Sequence, residues 1–246
     1  YDGLGRQTNL YWRSGSASST TFIQKYDYTY NSAYQRTSLF ASGSDRPDYL
    51  WSYQYDNYGQ LTGAAKTWGT TSLEALGQQY AYTFDAIGNR TQAKVTEPGS
   101  PSLDRVWDYT VDRLNRYTSV DGPRRLDVMG YASGAVSLIY TGAASPGLAG
   151  TLQPNASTGP FYRILPNWSG TGIVAETGTL NSVSKPLYLP PKPETLSYDL
   201  DGNLTGDGRF TYTYDGENRL IKVEMAVGIP SGPGMGIDGV WYYEYD

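Results

Sequence analysis

The stretch Phe210-Thr211-Tyr212-Thr213-Tyr214-Asp215-Gly216-Glu217-Asn218-Arg219-Leu220 decides the fold of this 246-residue chain. Up to Tyr214, aromatic residues occupy every second position and threonines lie between them. Because successive side chains of a strand point to opposite faces, this alternation predicts a strand with one aromatic and one polar face. Asp215 can accept hydrogen bonds from the backbone that follows it, and Asn218 tolerates a left-handed conformation. The stretch therefore predicts a hairpin whose turn runs from Asp215 to Asn218.

The same phrase recurs along the chain: an aromatic or branched residue, then Asp, two variable residues, and Gly or Asn. Its copies begin at Tyr1, Tyr55, Phe84, Val111, Tyr198 and Tyr214, with a decayed copy at Tyr30-Asn31 and another at Tyr245-Asp246. The first five openings lie 25 to 29 residues apart, and later intervals are 87, 16 and 31. We interpret the paired turn residues as structural: Asp2 and Gly5, Asp56 and Gly59, Asp85 and Gly88, Asp112 and Asn115, Asp199 and Gly202, and Asp215 and Asn218.

The composition favours strands and tight turns over helices. Tyrosine occurs 24 times and glycine 29 times, and aromatic residues are enriched in strands. A single hairpin with three half-covered rings is too small to be stable alone, so neighbouring repeats must stack. We predict an all-β protein in which stacked antiparallel hairpins form a curved or spiralling sheet wall.

Several function classes lack the residues they need. The chain has no cysteine and no histidine, which removes disulfides, thiolate metal sites and the commonest general base. A net charge of -5 disfavours nucleic acid as a partner. No apolar run approaches the roughly 18 residues of a membrane helix, so membrane insertion is not expected. Each repeat aspartate already has a turn to stabilise. We expect no enzyme activity and no cofactor.

One segment resembles a calcium loop, because Asp199, Asp201 and Asn203 fall at alternate positions. An EF-hand loop requires Gly at its sixth position and Glu at its twelfth. Here Leu204 and Phe210 occupy those positions. We interpret the segment as a turn that uses its own carboxylate, and we predict no metal site in this chain.

The repeated phrases resemble the YD repeats of the RHS family over residues 1–118 and 196–246. The most specific stretches are Tyr82-Thr83-Phe84-Asp85-Ala86-Ile87-Gly88-Asn89-Arg90-Thr91 and the Phe210 to Leu220 stretch. The resemblance implies a wall segment of a strand spiral that encloses a cavity, within a larger secreted or cell-surface bacterial chain. The family's Asp-Pro autocleavage signature has no counterpart, since the sequence contains no Asp-Pro. Neither self-cleavage nor a toxic activity is predicted for these residues.

The repeats frame a different middle segment. Residues 119–195 are rich in Gly, Pro and Ser and carry short apolar runs, which indicates a small β insert between two repeat arrays, 1–118 and 196–246. The interval of 87 residues is also close to three repeat periods. Three eroded repeats therefore remain the alternative interpretation of this segment.

Two hypotheses about function follow. The first is a structural scaffold, a β-shell or fibre that encloses or displays other domains. The alternative is a carbohydrate- or cell-binding adhesin module, because exposed rows of Tyr and Trp can stack on sugars. Tyr1-Asp2 opens a turn and Tyr245-Asp246 enters one, so we expect the strand edges to pair with the remainder of a parent polypeptide or with identical copies. Glycans are the other partner considered.

Overall fold

The computed structural model describes residues 1–15, 22–44, 46–69, 71–123, 125–132, 137–140, 148–149, 151–152, 159–165, 174–180, 183–189, 192–226 and 239–245. Within these residues the chain forms β-strands and one short 3-10 helix, Pro101–Leu103. The all-β prediction is confirmed: a large antiparallel sheet is accompanied by smaller antiparallel sheets.

The strands, in chain order, have the following bounds. The first half contains β1 (Asn9–Arg13), β2 (Phe22–Tyr30), β3 (Arg36–Gly43), β4 (Tyr49–Tyr55), β5 (Leu61–Trp68), β6 (Glu74–Phe84), β7 (Arg90–Val95), β8 (Arg105–Val111), β9 (Tyr117–Asp121), β10 (Leu126–Ala132) and β11 (Ser137–Tyr140). The second half contains β12 (Leu148–Ala149), β13 (Thr151–Leu152), β14 (Gly159–Leu165), β15 (Val174–Leu180), β16 (Val183–Leu189), β17 (Glu194–Thr195), β18 (Ser197–Tyr198), β19 (Leu204–Gly206), β20 (Phe210–Tyr214), β21 (Leu220–Met225) and β22 (Val240–Tyr242).

The chain divides into two compact units. The first comprises Tyr1–Arg105, Met129–Ala135 and Thr151–Tyr162, and the second comprises Val106–Val128, Val136–Gly150 and Arg163–Asp246. Each unit therefore combines residues from separate parts of the chain. The segment boundaries predicted from the sequence, at residues 118 and 195, stay a prediction.

In the first unit, strands β1 to β7 pair in chain order, each antiparallel to the next. The turns that join β2 to β3, β4 to β5 and β6 to β7 contain the repeated phrase. In each of these hairpins the register shifts at the residue that opens the phrase, Tyr30, Tyr55 or Phe84. A bulge of this kind places one extra residue on one strand and increases the local twist.

The aromatic rows share one face of this sheet. Tyr53 lies opposite Ala64, Ala64 opposite Tyr80, and Tyr80 opposite Val95, so large and small side chains alternate across the strands. The Tyr53 and Tyr80 rings are half-buried, whereas Ala64 and Val95 are buried. The described core is therefore thin, and it is made mostly of small residues between half-covered rings.

The opposite face is polar, as the alternation predicts. Thr83 lies on this face with its hydroxyl 2.8 Å from that of Thr91, and the Thr29 hydroxyl lies 2.6 Å from that of Ser38. These pairs are exposed to solvent. Cross-strand hydroxyl pairs of this type stabilise a sheet modestly without requiring burial.

Part of the middle segment packs on the first unit's sheet through Tyr162 of β14, which is buried. Its ring lies over Gly77 of β6, which has a φ of 69°, and a Cβ at Gly77 would overlap the ring. The Tyr162 hydroxyl donates to Glu97 Oε2 at 3.2 Å, and Glu97 also accepts a hydrogen bond from buried Arg105. A glycine and a buried ion pair thus fix where this segment contacts the sheet.

In the second unit, β8 and β9 form an antiparallel hairpin, and β17 pairs with β9 through Glu194 opposite Val120. Strands β18 to β22 pair in chain order. Strand β11 pairs with β12 and with β15, and β15 pairs with β16. The register shifts recur at Val111 and Tyr214, which open repeated phrases.

Candidate functional site: the stacked turns

Every described copy of the repeated phrase closes the same turn, which the Asp85 copy illustrates. The Asp85 N–H donates to the Asn89 carbonyl at 2.9 Å, and the Gly88 N–H donates to the Asp85 carbonyl at 3.2 Å. Asp85 Oδ1 accepts hydrogen bonds from the Ile87 and Asn89 N–H groups, and Oδ2 accepts one from the Asn89 side chain. One carboxylate therefore satisfies three donors that a bare turn leaves to water.

The structure places all twelve turn residues that we singled out in turns of this pattern, and the residue at the fourth position has a positive φ in each. The values are 74° at Gly5, 85° at Gly59, 93° at Gly88, 60° at Asn115, 90° at Gly202 and 61° at Asn218. Gly and Asn adopt this region at little cost, whereas β-branched residues do not. The geometry of the six turns is uniform, while the contribution of the twelve turn residues to stability stays a prediction.

The copy at Tyr30-Asn31 is less decayed than the sequence indicates. Asn31 Oδ1 accepts from the Ala33 and Gln35 N–H groups, as the aspartates do, and its Nδ2 donates to the Gln35 side chain. Tyr34 adopts the left-handed conformation with a φ of 63°. A neutral amide thus closes the same turn, which identifies the acceptor oxygen as the essential group.

Five of the turn carboxylates have a pKa below the ordinary value of an aspartate: Asp2, Asp85, Asp112, Asp199 and Asp215. At Asp85 and Asp199 the side-chain hydrogen bond from the asparagine four residues later is the leading cause of the lowered pKa. At Asp2, Asp112 and Asp215 the leading cause of the lowered pKa is the backbone N–H of the arginine four residues later. In the calcium-like segment, the Asp199 carboxylate is likewise engaged by its own turn.

Several consecutive turns contact each other through a tyrosine that opens the phrase. In the first unit, the Tyr30 hydroxyl donates to the Gln7 carbonyl at 2.8 Å, and the Arg6 guanidinium lies 5.0 Å from the centre of the Tyr30 ring. The Tyr55 hydroxyl donates in the same way to the Arg36 carbonyl at 2.8 Å. In both cases the acceptor directly follows the last residue of the preceding turn. The turns are thereby linked in a ladder.

Within the second unit, the same contact joins two turns that lie on either side of the middle segment. The Tyr198 hydroxyl donates to the Tyr117 carbonyl at 2.8 Å, and the Arg116 guanidinium lies 4.8 Å from the centre of the Tyr198 ring. The Leu196 N–H donates to the Thr118 carbonyl at 3.0 Å. The turn at Asp199 therefore contacts the turn at Asp112 as a next repeat does, although the intervening chain is long.

Sequence analysis assigned these tyrosines to packing and missed their hydroxyl groups. The available signal is that tyrosine precedes Asp or Asn in most copies, whereas Phe84 and Val111, which carry no hydroxyl, are the exceptions. Arginine at the last turn position was also missed. Arg6, Arg116 and Arg219 each pair with the aspartate four residues earlier and lie over the ring that opens a later copy.

Within the described part of the chain, no group of three or more Asp or Glu residues is arranged to hold a metal ion. None of the described helical residues forms a segment long and apolar enough to cross a membrane.

The lowered pKa values predict how the fold responds to acid. A carboxyl group whose folded pKa lies below its unfolded value, about 3.9 for Asp, stabilises the fold above that value, and the contribution is lost as the pH falls through the folded pKa. Asp85→Asn keeps the acceptor oxygen, as Asn31 does, but removes this titration. We expect the variant to melt slightly below the wild type at pH 7 and to lose less melting temperature at about pH 3.

Thermal melts by circular dichroism at both pH values test this expectation. Asp201→Asn is the matched control, because the Asp201 carboxylate accepts no hydrogen bond from the described residues of its turn. Its melting temperature should track the wild type. An Asp85→Asn variant that remains as sensitive to acid as the wild type would contradict the assigned role of the carboxylate.

The sequence matches no family model and no curated protein. Solved structures align with most of its length. The Tc holotoxin pore of Photorhabdus luminescens aligns with 91% of this chain and 10% of its own, at 13% identity and a TM-score of 0.42. The TcdB2–TccC3–Cdc42 complex aligns with 90% of this chain and 12% of its own, at 12% identity and a TM-score of 0.29. This chain thus spans about a tenth of the length of those toxin-complex chains.

Proposed function

We propose that this chain is a structural wall segment of a large β-repeat protein, secreted or displayed on a bacterial surface, which builds a shell or fibre around or beneath other domains. The observation that carries the proposal is the ladder of identical turns, in which an opening tyrosine contacts the preceding turn in four copies, at Tyr30, Tyr55, Tyr198 and Tyr245. An arginine of the preceding turn lies over the ring in three of them. The resemblance of the phrase to YD repeats supports the placement of the chain in a large secreted or surface-displayed bacterial protein.

The ladder suits a wall because the same kind of contact recurs at several junctions between repeats. A tyrosine hydroxyl bonded to a carbonyl contributes about 1 kcal/mol, and an exposed guanidinium over a ring about 0.5 to 1 kcal/mol. Together with strand pairing, these contacts join neighbours without requiring a common core. Such arrays lengthen by adding repeats, and their stability is close to a sum over neighbours.

A non-catalytic role agrees with where the carboxylates are used. The oxygens of Asp56 accept the Tyr58 and Gln60 N–H groups and the Gln60 side chain, and the other turn aspartates are engaged alike. In five of the six turns the pKa of the aspartate is also lowered. A carboxylate that accepts hydrogen bonds on both oxygens and has a lowered pKa is a weak general base at neutral pH. We therefore propose that the repeat aspartates hold the wall together and perform no chemistry.

Hydrogen exchange measured by mass spectrometry tests the array. Asp56→Ala removes the acceptor that closes the turn between β4 and β5, at a cost of about 1 to 3 kcal/mol. In an array, exchange should accelerate about tenfold or more in β4 and β5 and less in β3 and β6. Protection in β20 and β21 should not change.

The matched control is Asn57→Ala, at a variable and exposed position of the same turn, and it should leave every strand as protected as in the wild type. Loss of protection spread equally over β2 to β7 and over β20 and β21 would indicate one globally cooperative core. That result would contradict the wall segment.

We further propose that the open edge of the wall pairs with another strand, from the parent chain or from an identical copy. All five residues of β1 are exposed, and Tyr11 and Trp12 have about half of their surface in solvent, at 49% and 52%. The Tyr28 N–H donates to the Thr8 carbonyl. Because hydrogen-bonded positions alternate along an antiparallel pair and Thr8 is a bonded position, the Asn9 N–H points away from β2 and toward the open edge.

Sedimentation velocity over a concentration series tests this edge. The wild-type chain should self-associate as its concentration rises. Asn9→Pro, which removes the outward N–H, should weaken the association about tenfold or more, whereas Asn9→Thr keeps the N–H and should retain it. A wild type that stays monomeric, or an Asn9→Pro variant that associates as well as Asn9→Thr, would show that the edge does not recruit a strand.

A further inference from the structure

A cavity of about 530 Å³ lies on the aromatic face of the first unit, apart from the ladder of turns. Strands β4 and β5 contribute Trp51, Lys66 and Trp68 to its lining, because these residues share one face in the register of the hairpin. The middle segment contributes Met129 to Tyr131 and Pro160 to Tyr162. The cavity is therefore made where the middle segment covers the aromatic rows.

Lys66 is a charged residue that lies opposite Trp51, among the aromatic rings of this face. Its ammonium lies 4.3 Å from the centre of the Tyr49 ring and 4.4 Å from that of Trp68, and it donates to Gln78 Oε1 at 3.3 Å. Burial, and next the charge of Arg46, lower the pKa of Lys66 to about 8. An ammonium that has lost much of its hydration gains strongly from a negative partner.

No such partner is present among the described residues. Arg46 joins Lys66 in the lining, and the lining contains no Asp or Glu. The cavity thus carries two basic side chains beside apolar rings, with no acidic group facing them. Charge complementarity favours an anionic ligand, and a volume within the range of about 300 to 1,000 Å³ is typical of small-molecule sites.

The residues that line the cavity are buried at its floor and exposed at its rim, so that a ligand can enter and be enclosed. The floor is buried, with Trp68 exposed by 4% and Phe161 by 3%, whereas the rim is open, with Tyr131 exposed by 61% and Met129 by 48%. An exposed tyrosine ring at a rim is a platform on which the C–H face of a sugar can stack. Gln78 and the Tyr131 hydroxyl supply groups that can bond to sugar hydroxyls.

We propose that this cavity binds a sugar acid, a pyranose that carries a carboxylate, either free or at the end of an acidic polysaccharide. Its carboxylate contacts Lys66 and Arg46, and its ring stacks on Tyr131. The inference stands independently of the wall function, because a wall segment needs no ligand and this site lies away from the turns.

Isothermal titration of the intact chain with D-glucuronate at pH 7, with D-glucose as the neutral counterpart, tests the proposal. Glucuronate should bind at least about tenfold more tightly than glucose, a difference of 1.4 kcal/mol. Lys66→Met should weaken glucuronate binding by about tenfold or more, and Arg46→Gln should do so by a smaller factor. Lys222→Met is the matched control, since Lys222 lies in β21 of the second unit and pairs with Glu224. It should bind like the wild type.

The pH dependence provides a measurement that does not depend on whether Lys66→Met folds. The other titratable groups around the cavity are Arg46, Tyr49, Tyr131 and Tyr162, and guanidinium and phenol groups ordinarily titrate at about pH 10 or above. Between pH 7 and about pH 9, glucuronate affinity should therefore fall as Lys66 loses its proton, while any glucose binding should not change.

Three results would overturn the proposal. The first comes from a parallel titration with benzoate, a flat carboxylate without hydroxyl groups. If benzoate binds as tightly as glucuronate, the site does not recognise a sugar. Equal affinities for glucose and glucuronate would remove the role of the charge. Absence of glucuronate binding at millimolar concentration, for the free sugar and for digalacturonate as a model of a polysaccharide end, would remove the site.

Discussion

An aspartate that closes a turn on its own backbone is the constraint on which the rest of the structure depends. In each turn one side-chain oxygen, from Asp or in one copy from Asn31, accepts two backbone N–H groups, and a residue with positive φ allows the chain to reverse. Such a turn fixes which strands are adjacent and in what register, because the bulge beside it always falls at the opening residue. Alternating side chains then collect the rings on one face.

The turns also explain how repeats recognise one another without a large core. The rings are only half-buried, so apolar burial alone contributes less than it does in a globular domain. Directed contacts supplement it, since the hydroxyl of a ring meets the carbonyl that follows the previous turn. Phe84 and Val111 lack this hydroxyl, and their repeats rely on strand pairing and packing. The sheet is therefore specified by turn chemistry as much as by hydrophobicity.

Sequence reasoning predicted what is local. The strands, their polar faces and the twelve turn residues follow from period-two alternation and from the demands of a reversing backbone, both of which act within about ten residues. It did not predict that Lys66 lies on the aromatic face, although Ala64, Lys66 and Trp68 share a period-two row. It also did not predict Tyr162 over Gly77, because that contact joins residues far apart in the chain. Long-range packing leaves no periodic signal in one sequence.

The central claim is that the ladder passes directly from the turn at Asp112 to the turn at Asp199, across the middle segment. A double-mutant cycle between Arg116→Gln and Tyr198→Leu, measured by chemical denaturation, tests it most directly, with Arg6→Gln and Tyr198→Leu as the reference pair because Arg6 contacts Tyr30 instead. The account predicts a coupling of about 0.5 kcal/mol or more for the first pair and additivity for the second. Additive effects in both pairs would contradict it.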